Sequence, residues 1–200
     1  MTRSATRTAG AVVACALIAS ATAACAEAEA SLDVGTPALQ KMRADVGLEP
    51  CEPGPGPAGE RPDALPELTL PCLGGGTSVD LAGLRGPMVI PVWAQWCGPC
   101  RDELPIFQQL EESGSVDVMG INYLDTQPAA ALSLLDSTGV TFPSVADPSG
   151  KLKEAYPWLT GLPLLVMIDA DGAVTFSEFR EVTSYDELAD LVQDELGVTP

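Results

Sequence analysis

The chain predicts an α/β domain built on a mixed central sheet, and three observations carry that expectation. Apolar runs of strand length alternate with helical patterns from about residue 64 to residue 160. Two strand-like runs then follow each other with Asp169-Ala170-Asp171-Gly172 between them, as in an antiparallel hairpin. A Ser-x-x-Glu pattern at Ser184 and Glu187 finally opens an amphipathic stretch, the mark of a capped last helix. Alternation implies parallel neighbours and the hairpin implies antiparallel ones, so the sheet is expected to be mixed, with helices on both faces.

In chain order, Met1 to Thr8 carries Arg3 and Arg7 without an acid, and an alanine-rich apolar run follows to about Ala24. Residues 1–24 therefore read as an export signal, short and rich in small residues for a spanning helix, with an uncleaved anchor as the other reading. Thr22-Ala23-Ala24-Cys25 resembles a bacterial lipobox, with Thr22 where Leu is usual. Two readings of Cys25 stay open: a lipid anchor to a membrane surface, or ordinary cleavage within Ala21 to Ala26. Cys15 falls inside the signal. Residues 25–64 shift to Ala, Glu, Gly and Pro and end in alternating Pro and Gly, which holds neither helix nor central strand, so they are expected to form a tether. Within it Leu39, Met42, Arg43 and Val46 have helical spacing after Thr36 and Pro37, which predicts one short helix over Pro37 to Val46.

Residues 65–200 form the domain. Strands are expected at Glu67–Leu70, Met88–Trp93, Val116–Asn122, Phe142–Val145, Leu164–Ile168 and Val174–Phe179, each apolar and bounded by turn residues. Helices are expected at Pro99–Glu112, Pro128–Ser137, Gly150–Tyr156 and Ser184–Leu196. Trp93, Trp96 and Trp158 read as packing residues, Trp96 also shaping the surface beside Cys97.

Charge and composition narrow the chemistry. Ten Lys and Arg against 28 Asp and Glu give a net charge of -18; without residues 1–24 the balance is 8 against 28, or -20. Such a surface repels phosphate backbones, which excludes a nucleic-acid partner. The chain has no histidine, so Ser-His-Asp and Cys-His catalysis and His-ligated metals are excluded. Carboxylate and cysteine chemistry remain. Trp96-Cys97-Gly98-Pro99-Cys100 lies between an expected strand and an expected helix. There the free N–H groups and dipole of the helix start favour a thiolate at Cys97, and the spacing lets Cys100 resolve a mixed disulfide. Half of a zinc site is the competing reading, but Cys51 and Cys72 are not a second Cys-x-x-Cys pair, and nothing else calls for a metal or a cofactor.

With its flanks, Leu65 to Leu70, Val79 to Gly86 and Cys100-Arg101-Asp102-Glu103-Leu104-Pro105, this segment resembles the thioredoxin superfamily. It is most similar to the exported TlpA/ResA/DsbE-like thiol-disulfide oxidoreductases, which are related to the redoxin and AhpC-TSA proteins. The resemblance implies a thioredoxin fold with an extra N-terminal strand or hairpin and a mid-domain helical insertion, here Gln127 to Gly139. It implies reduction of disulfides in exported proteins, as in cytochrome c maturation, with electrons from a membrane thiol donor. It also places Gly161-Leu162-Pro163 at the superfamily's cis-proline, where Leu162 and Pro163 would frame the substrate with Trp96, Gly98 and Pro99. An ordinary trans proline opening a strand is the other reading. A disulfide-forming oxidase and a thioredoxin-fold binding or chaperone module are the alternative functions; a peroxidase lacks its Pro, Thr and Cys pattern here.

Two positions depart from thioredoxin. Pro91 stands where that family buries an Asp, so that proton route is absent, and a bulge or bend is expected in the strand. Glu103, three residues after Cys100, is the candidate replacement, tuning the thiols or merely complementing the helix start. Cys51 and Cys72 are read as a structural disulfide, worth about 3 kcal/mol by loop closure, with free or intermolecular thiols as the alternative.

Overall fold

A computed structural model describes residues 1, 32–56, 63–156 and 159–200; the expected signal, Cys15, Cys25 and Trp158 lie outside them. The elements run α1 (Pro37–Val46), β1 (Thr69–Pro71), β2 (Ser78–Asp80), a 3-10 turn (Leu81–Gly83), β3 (Met88–Trp93), α2 (Gly98–Ser113), β4 (Asp117–Val118), β5 (Gly120–Tyr123), α3 (Pro128–Thr138), β6 (Ser144–Asp147), α4 (Leu152–Ala155), β7 (Leu164–Ile168), β8 (Val174–Glu178) and α5 (Tyr185–Leu196).

Strand order β6-β5-β3-β7-β8 makes one sheet, with β4 beside the start of β3. The β3, β4, β5 and β6 pairings are parallel, whereas β7 is antiparallel to both β3 and β8. The sheet is mixed, as expected. β3 and β7 are buried along their whole length, which their unbroken apolar sequences require of strands covered on both faces. Side chains alternate between the two faces. Val89, Trp93, Leu165 and Met167 join one core with Leu104, Phe107, Leu132, Leu135, Leu188 and Val192. Met88, Ile90, Val92, Leu164, Val166 and Ile168 join a second core with Leu70, Val79, Leu81 and Leu152.

The cover of the second face departs from expectation. β3 to β5 and β5 to β6 step in the same direction, and right-handed crossovers put α2 and α3 on the same side. α5 packs against α2 and α1 against α3, so the long helices share one face. The other face is covered by the antiparallel β1–β2 hairpin, the 3-10 turn and the four-residue α4. Strand Val116–Asn122 is split in two, and the strand expected from Phe142 starts at Ser144, after Pro143, which has no donor.

The tether is corrected over residues 34–51. Thr36 Oγ1 accepts from Leu39 N at 3.4 Å, Pro37 starts α1 and Gly47, at φ 75°, ends it, so the predicted short helix forms. Val34, Leu39 and Leu48 are buried in the first core. Arg43 donates to the carbonyls of Gly75 and Glu49 at 3.1 and 2.7 Å, and Cys51 is bonded to Cys72. The segment docks because its apolar residues and one covalent bond outweigh the looseness that its Pro and Gly neighbours suggest.

Pro91 produces no bulge against β7: Ile90↔Val166, Pro91↔Leu165 and Val92↔Leu164 run without a shift. Its effect falls on the parallel side. The Val89 carbonyl accepts from Met119 N at 3.1 Å, and the next donor on that edge would be Pro91, which has none. The ladder breaks there, between β4 and β5. A shift does occur between Met167 and Ile168, on the β8 side.

Candidate active site

β3 runs into a short loop, and Cys97 is the N-cap of α2, with Gly98 and Pro99 in the first turn. Cys97 and Cys100 are joined as a disulfide with their Cα atoms 5.3 Å apart. Cys97 Sγ also accepts from Cys100 N at 3.3 Å, so a cysteine sulfur occupies the place usually taken by a capping oxygen. Negative charge on that sulfur is favoured by the same N–H groups and by the positive end of a 16-residue helix. Cys97 is 5 % exposed and Cys100 1 %, and their chain neighbours Trp96, Gly98 and Pro99 are exposed.

The Leu162–Pro163 bond is cis. β7 starts at Leu164 opposite Val92, which puts Leu162 and Pro163 at the end of the sheet where β3 leads to Cys97. The sheet thus gathers Trp96, Cys97, Gly98, Pro99, Leu162 and Pro163 at one end. A second cis bond, Gly86–Pro87, precedes β3 and had no counterpart in the sequence reading.

Glu103 lies on the buried side of α2, one turn beyond Cys100, and is 4 % exposed. Its Oε1 accepts from Val182 N at 2.6 Å, which ties α2 to the segment leading into α5. Burial pushes its carboxyl up to about 7, helped by the negative charges of Glu181, Glu187 and Asp102 and opposed by the Val182 bond. Desolvation prevails. Glu187 shows the opposite balance: hydrogen bonds from Thr183 and Arg180 hold it down at about 2. The capping box expected at α5 is present on one side, where Ser184 Oγ accepts from Glu187 N, but Glu187 reaches back to Thr183 N instead of its own N-cap.

Cys51 and Cys72 form the expected second disulfide, away from α2 and in the second core. Cys72 bridges Val145 of β6, and Cys51 Sγ lies 3.4 Å from the Ser144 carbonyl, so the bond pins the N-terminal segment and the hairpin to the sheet edge. Trp93 is a packing residue, 1 % exposed, whereas Trp96 is 54 % exposed and is not.

Asp125 was missed by the sequence reading. It is 1 % exposed, and its carboxylate accepts from Gln95 N at 2.8 Å, Asn122 Nδ2 at 3.1 Å and Gln127 N at 3.0 Å, which ties the loop before Cys97 to the β5–α3 turn. An Asp two residues before Gln127 and Pro128 is a legible Asx turn. The partner thirty residues away was not legible.

A mixed sheet with a strand–Cys-x-x-Cys–helix unit and a cis-proline at the same end defines a thioredoxin-fold protein with a dithiol–disulfide centre. The chain belongs to the Redoxin family, whose match spans residues 60–193. It is 34 % identical over 130 residues to the thiol:disulfide interchange protein CycY of Rhizobium leguminosarum bv. viciae, covering 64 % of this chain and 65 % of that one. It is 35 % identical over 129 residues to the thiol:disulfide interchange protein DsbE of Pseudomonas fluorescens biotype C, covering 62 % and 71 %. Just under two thirds of CycY is thus spanned. Among solved structures, MTB dsbF in its mixed oxidized and reduced forms is similar with a TM-score of 0.57 and 28 % identity, over 68 % of this chain and 98 % of that one. A putative DsbE from Chlorobium tepidum follows at 0.54 and 28 %, over 68 % and 95 %.

Proposed function

We propose that this chain is a protein-disulfide oxidoreductase that reduces disulfides of exported proteins, in a role like cytochrome c maturation. The observation that carries the reading is the Cys97–Cys100 pair at the N-terminus of α2, the more exposed sulfur capping the helix. In the dithiol form the Cys97 thiolate attacks one sulfur of a substrate disulfide. That bond breaks, the departing sulfur takes a proton, and a mixed disulfide remains. Cys100, as thiolate, then attacks Cys97 Sγ and releases the second substrate thiol. Two electrons and two protons have passed to the substrate, and the Cys97–Cys100 disulfide has formed.

In this reading Trp96, Gly98, Pro99, Leu162 and Pro163 frame the substrate, and Cys51–Cys72 is structural. Glu103, buried one turn from Cys100 and titrating near neutrality, tunes the thiols from within the helix layer. Re-reduction needs two electrons from a thiol donor at the membrane. Residues 1–24 act as the export signal, and Cys25 either carries a lipid or becomes part of a secreted chain. No helix among the described residues is long and apolar enough to cross a membrane. The relatives' names, thiol:disulfide interchange proteins, support the chemistry.

Insulin reduction driven by a thiol, with Cys97→Ser as control, tests the reading. Turnover lost in the variant is the expected result. Equal rates for both proteins would leave only a binding module in which the pair locks the fold.

A further inference from the structure

We propose that Asp125 is a positioning residue for disulfide exchange: its buried carboxylate, anchored in the β5–α3 turn, holds the loop before Cys97 so that the sulfur is poised for attack. The inference deepens the reading above and rests on Cys97 as the attacking thiol. Between the end of β3 at Trp93 and the start of α2 at Gly98, the reacting sulfur is placed by Ala94, Gln95, Trp96 and Cys97. Within itself this loop closes one backbone turn, from Cys97 N to the Ala94 carbonyl at 3.1 Å. Two further ties leave it for the β5–α3 turn. Gln95 N donates to Asp125 Oδ2 at 2.8 Å, and Trp96 Nε1 donates to the Leu124 carbonyl at 3.1 Å.

Asp125 is 1 % exposed, and both of its oxygens are used. Oδ2 accepts from Gln95 N and from Asn122 Nδ2 at 3.1 Å, while Oδ1 accepts from Gln127 N at 3.0 Å. Among the described residues no cation pairs with it, so the three donors alone satisfy a buried acid. The turn it stands in is itself anchored. Leu124 N donates to the Asp147 carbonyl at 2.9 Å, and the Asp147 carboxylate accepts from Lys151 N and Leu152 N at 2.9 and 2.8 Å as α4 begins. A row of short bonds therefore runs from α4 through the end of β6 and the turn to the residue two before Cys97. An Asx turn leading into α3 needs only the Gln127 bond. The bond to Gln95, 30 residues back, adds nothing to that turn and acts on the loop that carries the sulfur.

The test uses the full chain, pre-reduced and freed of reductant, mixed with excess insulin in a single turnover. Each molecule passes two electrons and two protons to one insulin disulfide as Cys97 and Cys100 become bonded, and rates are read across insulin concentration by acid quench and alkylation. Asp125→Ala removes all three bonds and should lower the limiting rate about tenfold or more with the half-saturating concentration unchanged, since a misplaced nucleophile loses rate before binding. Asp125→Asn keeps one accepting oxygen and should recover part of that rate. Gln108→Ala controls for lost stability alone: Gln108 is also buried and accepts from two backbone donors, Thr141 N and Phe142 N, at the other end of α2, and its loss should leave the limiting rate unchanged. Should Asp125→Ala not fold, Asp125→Asn carries the same comparison. Asp125 variants that match Gln108→Ala, or that raise only the half-saturating concentration, overturn the inference and leave the oxidoreductase reading intact. Failure of the unaltered chain to reduce insulin through Cys97 overturns both.

Discussion

Cys97–Cys100 joins residues three apart at the start of a helix, beside exposed Trp96, whereas Cys51–Cys72 joins residues 21 apart under the hairpin and beside the sheet edge. The bonds are the same in kind and differ in what surrounds them. At Cys97 the backbone N–H groups of a helix start stand ready to stabilise a sulfur anion, and little chain is constrained by the bond. At Cys51 and Cys72 the neighbours are apolar side chains and a strand, and the bond closes a long loop whose two ends both pack into the domain. A disulfide's use is therefore set by its surroundings, by whether a thiolate is welcome and by how much chain entropy the bond removes.

The largest expected effect would break this contrast if it failed. Cys97→Ser should abolish insulin reduction while moving the melting temperature little, and the double variant Cys51→Ala with Cys72→Ala should do the reverse, losing about 3 kcal/mol of stability in denaturant titration with exchange retained. Sequential reduction sharpens it. With increasing dithiothreitol under native conditions, alkylation and mass spectrometry should find Cys97 and Cys100 modified first, with Cys51 and Cys72 protected until the chain unfolds.

Glu103 extends the comparison into pH. Its folded carboxyl titrates at about 7 against an ordinary 4.5, so folding favours the protonated acid. The resulting stability is complete below pH 4.5 and is lost as pH rises through 7, a change of about 3 kcal/mol. Glu103→Gln should flatten unfolding free energy across that window, and it should shift the pH profile of Cys97 alkylation if the carboxyl tunes the thiols. A flattened stability curve with an unshifted alkylation profile would leave Glu103 with a structural part only. The smallest effect belongs to Glu187, whose folded carboxyl is held down at about 2, so its contribution is present above pH 4.5 and fades toward pH 2. Glu187→Ala should cost about 1 kcal/mol at neutral pH, read by thermal melting.

How much of this was legible depended on distance along the chain. Short-range signals sufficed for α1, with its Thr36 cap and Pro37, for the Cys97 turn, and for the Asp169 turn, where Asp169 Oδ1 accepts from Asp171 N and Ala173 N. The apolar runs of β3 and β7 located the centre of the sheet because burial on both faces leaves no alternation to misread. Long-range partners were not legible. Leu39 and Leu48 pack across the domain, Glu103 finds Val182 79 residues away, and Asp125 finds Gln95 30 residues back. Composition misled at the tether, since Pro and Gly report local stiffness and say nothing about a neighbouring leucine's destination.

The docking of residues 34–51 bears on where the domain can be cut. A protein begun at Leu65, where the strand pattern starts, would strip α1 from α3 and leave Cys72 as an odd thiol under an uncovered edge. In an oxidising compartment that orphan sulfur would compete for Cys97 or join two copies, and a loss of activity would be read as a failure of chemistry when it was scrambling. The smallest faithful version of this molecule therefore keeps the helix that composition alone would have discarded.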